Sequence, residues 1–255
     1  MSTDSNGFAV PVFKQLKQQG VRLTIALGGL NGTYLAQACE NSDALFAAYE
    51  KIIQAYQPDE LDFDVENSLQ TNNQQLATLM QTIKRVQAKY PDIAISFTLP
   101  VLPSGLVPGV GENVIAQAKT NGLDDYLVNI MAMDYGTSFQ AKTMGDYAID
   151  ALTNTLAQLK KYYPTQSDSQ LWPRLGVTPM IGLNDTIPLN FSLDDVDTVK
   201  AFAKQKKLGL MSLWSITRDH PCDNSYVSIT CTSKNPQTGA PNQSVDYQYS
   251  SRFQH

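Results

Sequence analysis

The sequence predicts an α/β fold of the (β/α)8-barrel type, and three observations predict it. Short apolar strand patterns alternate with longer helical patterns along most of the chain. The length of 255 residues suits one such barrel. Polar residues suited to chemistry follow the carboxyl ends of several strands: Gly28-Gly29, Glu66-Asn67, Asp134-Tyr135, Asn184-Asp185 and Trp214-Ser215. In a barrel those ends converge on one mouth. A doubly wound sheet would concentrate its chemistry at one switch point, usually after a G-x-G-x-x-G turn. The GGLNG run after the first strand lacks that spacing and reads as a tight turn.

The elements follow in order. Phe8, Val12, Phe13 and Leu16 mark an amphipathic helix that ends at Gly20. Strands are expected at 21–27, 60–65, 93–99, 126–133, 175–180 and 208–214. Helices are expected between them at 42–56, 73–90, 112–120, 144–162 and 192–206. Ser42 with Asp43, and Ser192 with Asp194 and Asp195, read as N-caps followed by acidic first turns. Gly20, Gly122 and Gly209 follow helices, where a left-handed cap is common. Residues 1–220 form the barrel in this reading. Residues 221–255, rich in Ser, Thr, Asn, Gln and Pro, form an irregular extension anchored by Cys222, Tyr226, Tyr247 and Tyr249.

Composition narrows the function. Hydrophobic residues make up 42%, enough for a packed core, and the net charge of −5 argues against nucleic acid or an anionic membrane as partner. No apolar run approaches the length of a membrane helix. The start, MSTDSNGFAVPVF, lacks the charged-then-apolar order of a signal peptide.

The chemistry centres on DELDFDVE, residues 59–66. Side chains of a strand alternate between two faces, so Asp62, Asp64 and Glu66 share one face and Leu61, Phe63 and Val65 the other. A row of carboxylates is costly to bury, and mutual repulsion pushes at least one toward its neutral form. A protonated carboxyl beside an ionised one is the equipment for general-acid catalysis. The competing readings are a solvated edge strand, which would intersperse Lys, Arg, Ser or Thr, and a calcium loop, which would be richer in Gly and Asn.

Cys222 and Cys231 lie close together in the polar tail, where a disulfide would supply order and imply an oxidising compartment. The alternative is two free thiols. Cys39 has no evident partner. The histidines, His220 and His255, do not complete a zinc set with the cysteines, so no metal is expected.

The octet also carries a resemblance. It is similar to the D-x-x-D-x-D-x-E signature of glycoside hydrolase family 18, the chitinases, departing in Glu60 where a Gly is usual. IALGG (25–29) resembles the S-x-G-G of the family's strand three, with Ala26 in place of the Ser. VNIMAMDYG (128–136), VTPMIGLND (177–185) and LMSLWS (210–215) resemble strands six, seven and eight. The likeness covers most of the chain and looks like a secreted bacterial chitinase domain. Strands one and two have no counterpart, so the resemblance implies a barrel N-terminally incomplete, with six strands visible.

The resemblance implies hydrolysis of β-1,4-linked N-acetylglucosamine polymers by a retaining, substrate-assisted route, without metal or organic cofactor. Glu66 would be the acid and base, Asp64 would orient the substrate acetamide, and Asp62 would share a proton with Asp64. Loss of the family Ser at Ala26 would remove a hydroxyl that supports Asp62. Trp214 would floor the sugar, the other reading being an ordinary core Trp. Met133 stands where the family often has a Tyr. Tyr135, sharing parity with Met131 and Met133, would face inward, and Asp134 would need a bend to reach the site. Asn184 and Asp185 would bind sugar hydroxyls or form a plain turn; Trp172 reads as structural. Non-proline cis peptides are expected after Glu66 and Trp214. The expected partner is chitin or its oligosaccharides and the expected state a monomer outside the cell. The alternatives are an endo-β-N-acetylglucosaminidase acting on N-glycans, and a non-catalytic chitin-binding lectin or inactive fragment.

Overall fold

Residues 9–254 are described in a computed structural model; Phe8 of the expected first helix and His255 lie outside them. Contacts divide the chain into two compact units, one of residues 9–98 and 108–126, the other of 99–107 and 127–254.

In the first unit, three β-rich runs become parallel neighbours: β1 (Thr24–Gly28), β2 (Glu60–Asp64) and the start of β3 (Ala94–Leu102). The register sets Ala26 beside Asp62 beside Ser96, and Gly28 beside Asp64 beside Thr98. The period-two pattern of β2 sorts as the sequence predicts. Its apolar set, Leu61, Phe63 and Val65, is buried. Phe63 sits 5.5 Å from the Tyr49 ring and 5.9 Å from Phe97, which meets Tyr126 at 5.3 Å. The contacts of Phe63 with Tyr49 and of Phe97 with Tyr126 are edge-on, and such contacts anchor a strand more firmly than area burial alone.

The helices of this unit are α1 (Val10–Gln18), α2 (Leu35–Ala38), α3 (Ser42–Tyr56), α4 (Asn73–Lys89) and α5 (Gly111–Thr120). The start of α3 corrects one expectation. Asn41, not Ser42, is the cap, its side chain accepting from the backbone N–H of Asp43 at 3.1 Å and of Ala44 at 2.9 Å. Asn and Ser cap comparably, so the better-placed side chain takes the position. Gly28 closes β1 at φ 119°, and a Cβ there would stand 2.2 Å from the Asp64 carbonyl oxygen. The GGLNG turn therefore needs glycine because its backbone approaches the end of the acidic strand.

In the second unit the end of β3 pairs antiparallel with β4 (Gly105–Leu106). β5 (Leu127–Ala132) and β6 (Leu175–Pro179) are parallel, and β7 (Gly182–Leu183) and β8 (Asn190–Phe191) form a small antiparallel pair. β9 (Leu210–Met211) lies parallel to β6 and is shorter than the expected 208–214. Beyond it, Trp214 makes only an isolated bridge to Met180.

Helix α6 (Met144–Tyr162) packs on β4, β5 and β6, and α7 (Asp168–Leu171) follows it. α8 (Leu193–Lys206) opens on the expected Ser192 cap, reinforced by a reciprocal bond from Ser192 N–H to Asp195 at 2.7 Å. At its other end Lys207, not Gly209, takes the left-handed region, at φ 60°. Gly209 is required for a different reason: a Cβ would lie 2.1 Å from the Pro173 carbonyl.

The tail is more ordered than its composition suggests. It ends in α9 (Gln248–Gln254), which docks on α8. Asp219, fully buried, accepts from Tyr249 N–H at 3.1 Å, Ser250 N–H at 2.7 Å and Gln243 Nε2 at 2.9 Å. Three donors make a buried carboxylate tolerable and fix the tail to the chain just after Trp214. Cys222 and Cys231 form a disulfide, and Cys39 is a half-buried free thiol. Among the described residues no helix is long and apolar enough to cross a membrane.

Candidate active site

The acidic face of β2 is where the first unit carries chemistry. Asp62 is buried, 8% exposed. Ser96 Oγ donates to its Oδ1 at 2.6 Å, and Thr98 Oγ1 lies 2.9 Å from both carboxyl oxygens. Burial raises the Asp62 carboxyl to about 6 against the pull of those hydroxyls, helped by the charge of Glu60. The structure thus corrects the expected loss of support at Ala26. The hydroxyls come from β3, on the opposite side of Asp62.

Asp64, one pleat further on, is half-buried. Its Oδ1 is sequestered from solvent with no hydrogen-bond partner among the described residues. Burial, then the charges of Glu66 and Asp62, raise this carboxyl to about 7. Burial also raises Glu66. β2 and the extended residues that follow it therefore carry three carboxyls whose proton affinities all lie above those of free carboxylic acids. Such a row keeps its protons to higher pH than free carboxyls do, because ionising neighbours in a low-dielectric wall is progressively harder.

Glu66 is seated by a residue that the sequence did not flag. Tyr34 Oη accepts from Glu66 N–H at 2.6 Å and lies 3.1 Å from the Glu66 carbonyl oxygen, to which it donates. The Glu66–Asn67 bond is trans, contrary to the expectation; the turn is made by Asn67 at φ 52°, whose amide donates to the Leu30 carbonyl at 2.9 Å. An Asn tolerates the left-handed region at low cost, so the chain can leave the strand that way. The Trp214–Ser215 bond is cis, as expected.

In the second unit the expected binding residues separate into two groups. Trp214 is 40% exposed, and Met133 and Asp134 are half-buried. Asp134 adopts φ 49°, which supplies the bend the sequence reading required. Its carboxyl accepts from Thr186 N–H at 2.9 Å and is raised by burial. The other group is interior, which corrects the expectation for Tyr135 and, of the two readings of Asn184, fits the turn. Tyr135 is 2% exposed, its ring 6.0 Å from Tyr147 and 6.2 Å from Phe139. β5 ends at Ala132 and the bend at Asp134 breaks the alternation, so the parity of Met131 and Met133 does not carry to Tyr135. Asn184 is fully buried. Its amide donates to the carbonyls of Met180 at 2.9 Å and Gly182 at 3.1 Å, and its oxygen accepts from Asp134 N–H at 3.2 Å. It builds the turn that presents Asp134. Trp172 is buried against Phe202 at 5.4 Å, a structural residue as read. Among the described residues no cluster of three or more His, Cys, Asp and Glu is arranged to hold a metal.

No family model matches the chain. A probable bifunctional chitinase/lysozyme of Escherichia coli (strain K12) is 36% identical over 219 residues, 82% of this chain and 24% of that protein. Endochitinase 11 of Metarhizium anisopliae is 35% identical over 229 residues, 86% of this chain and 43% of that one. The chain therefore spans less than half the length of either curated relative. The catalytic domain of a hyperthermophilic chitinase from Pyrococcus furiosus superposes with a TM-score of 0.83 at 32% identity, covering 96% of this chain and 76% of that one. Catalytic-site mutants of active domain 2 of a chitinase from that organism have been solved complexed with chito-oligosaccharides.

Proposed function

Because the chain belongs to the chitinases of glycoside hydrolase family 18 and has their (β/α)8-type α/β fold, we propose that it hydrolyses β-1,4-linked N-acetylglucosamine polymers by a retaining, substrate-assisted mechanism. The observation that carries the reading is the Asp62–Asp64–Glu66 row with its raised proton affinities and the unpartnered Asp64 Oδ1.

Glu66, whose proton affinity burial raises, delivers a proton to the glycosidic oxygen as the C–O bond breaks. The carbonyl oxygen of the substrate's own 2-acetamido group attacks the anomeric carbon from the opposite face and forms an oxazolinium ion. Asp64 turns its carboxyl to accept from the acetamide N–H, which aims that carbonyl and stabilises the positive charge on the ring. Asp62, held by Ser96 and Thr98, sets the protonation of Asp64 through its own charge. Glu66, now ionised, removes a proton from water as it opens the oxazolinium. Two attacks on the same carbon restore its configuration. Trp214 offers an apolar face to a pyranose ring, and Asp134 and Met133 flank bound sugar.

Residues 221–255 act as an extension of the 1–220 catalytic portion, and the chain works as a monomer outside the cell. The Cys222–Cys231 disulfide supports that location. The acid Glu66 disfavours a non-catalytic lectin. The test compares oligosaccharides that differ only at C2. Chromogenic N-acetyl-chitotriosides should turn over at least about 100-fold faster than the cellotriosides, which lack the internal nucleophile. Equal rates would remove the acetamide from the mechanism.

A further inference from the structure

We infer that Arg218 is a positioning residue: it holds the Trp214 indole as a sugar platform and fastens that platform to the disulfide-closed segment 222–231. The inference rests on the reading of Trp214 as a substrate-binding residue.

The starting point is a charge in an unusual place. Arg218 is fully buried. A guanidinium in the interior is destabilising unless its donors are satisfied and its charge is balanced. Here the donors go to backbone carbonyls. Nη2 donates to Ile181 at 3.0 Å and Leu183 at 2.6 Å, and Nη1 donates to Ser228. The charges of Asp185 and Asp134 balance it from a distance, and Nε has no partner among the described residues. The guanidinium carbon stands 5.3 Å from the centroid of the Trp214 ring.

That arrangement explains how a large aromatic can be 40% exposed and still be fixed. The backbone of Trp214 is clamped to the β6 side, its N–H donating to Pro179 at 2.8 Å and its carbonyl accepting from Ile181 N–H at 3.0 Å. Ile181 thus bonds Trp214 through its nitrogen and Arg218 through its oxygen. The indole, beyond the reach of those backbone bonds, gains a cation against its ring. A desolvated cation–π contact is among the stronger of its class. Ser228 lies within the loop closed by Cys222–Cys231, whose cysteines are 9 residues apart. Closing that loop restricts where the Ser228 carbonyl can lie, and the carbonyl restricts the guanidinium. A lysine cannot reproduce the geometry, because its single ammonium lacks the planar fork that serves carbonyls on separate segments.

The test is a double-mutant cycle on binding, read by calorimetry with N-acetyl-chitotetraose. It uses the full chain carrying Glu66→Gln so that ligand is not consumed. Arg218→Lys should weaken binding about five- to tenfold, and Trp214→Ala by at least as much. Added to Trp214→Ala, Arg218→Lys should cost less than about twofold more, because the group it positions is gone. Acrylamide quenching should rise in Arg218→Lys, since Trp172 is buried and Trp214 is the accessible tryptophan. If Arg218→Lys fails to fold, Cys222→Ser with Cys231→Ser is the second probe. It leaves the guanidinium in place and should weaken binding about two- to threefold, again only when Trp214 is present. An equal loss with and without Trp214, from either probe, would overturn the inference and leave Arg218 a folding residue. Unchanged binding in Arg218→Lys beside weakened binding in Trp214→Ala would also overturn it. Unchanged binding in Trp214→Ala would instead overturn the underlying reading of Trp214.

Discussion

Glu66→Gln should lower kcat on chito-oligosaccharides by about 10²–10⁴-fold while leaving their affinity within a factor of about three. The substitution keeps shape and hydrogen-bonding capacity but removes the transferable proton. The glycosidic oxygen must then leave as an alkoxide, which is the step general-acid catalysis exists to avoid. The fold has reason to survive it. Glu66 is positioned through its main chain, by Tyr34 Oη at 2.6 Å from its N–H and 3.1 Å from its carbonyl oxygen. Neither bond involves the carboxyl. Steady-state kinetics beside calorimetric binding separates the two effects. A variant that binds and still turns over at more than about a tenth of the wild-type rate would remove Glu66 from the acid role.

Asp64→Asn should do two things of opposite sign. Turnover should fall by about 10²–10³-fold, the usual loss when one preorganised electrostatic group is taken from a developing charge. Stability at neutral pH should rise. In the folded protein the Asp64 carboxyl titrates at about 7, against 3.8 when unperturbed. Between those values the folded state binds a proton that the unfolded chain releases, so stability decreases as pH increases through that window. Asp62, at about 6, contributes with the same sign. The neutral amide introduced by Asp64→Asn does not titrate, so the variant escapes this loss at that position. Melting temperatures of variant and wild type should therefore lie close together near pH 4, separate as pH rises, and differ by a constant amount above pH 7. A difference that is flat with pH would show that Asp64 ionises normally in the fold. A variant less stable at pH 8 would show that its carboxylate is satisfied.

This trade-off between chemistry and stability is legible in the sequence because it rests on alternation. Alternation puts Asp62 and Asp64 of β2 and Glu66 just beyond it on one face with no tertiary information, and the apolar set on the other face packs as Phe63 does against Tyr49 and Phe97. The succession of strands and helices was equally legible, as was the Cys222–Cys231 pairing. What the sequence hid lies across strands and at their ends. Ser96 and Thr98 are two small hydroxyl residues in an apolar run; only the register of β3 against β2 shows that they meet Asp62. Their spacing of two was a signal, but it needs a partner strand to have meaning. Tyr34 had no signal at all, since a Tyr in a loop does not advertise that its hydroxyl spans the N–H and carbonyl of Glu66. Tyr135 was misplaced because alternation was carried past the end of β5, where Asp134 at φ 49° ends it. Arg218 was missed because a buried guanidinium held by carbonyls looks, in sequence, like any surface arginine.

Retention of configuration at the anomeric carbon, driven by Glu66 as acid and base, is open to one direct measurement. Proton NMR of N-acetyl-chitotetraose during the first minutes of hydrolysis reports which anomer forms before mutarotation mixes them. The wild-type chain should release the β-anomer first, and Glu66→Gln under the same conditions should release neither. An initial α-anomer, or β-anomer formed undiminished by Glu66→Gln, would contradict it.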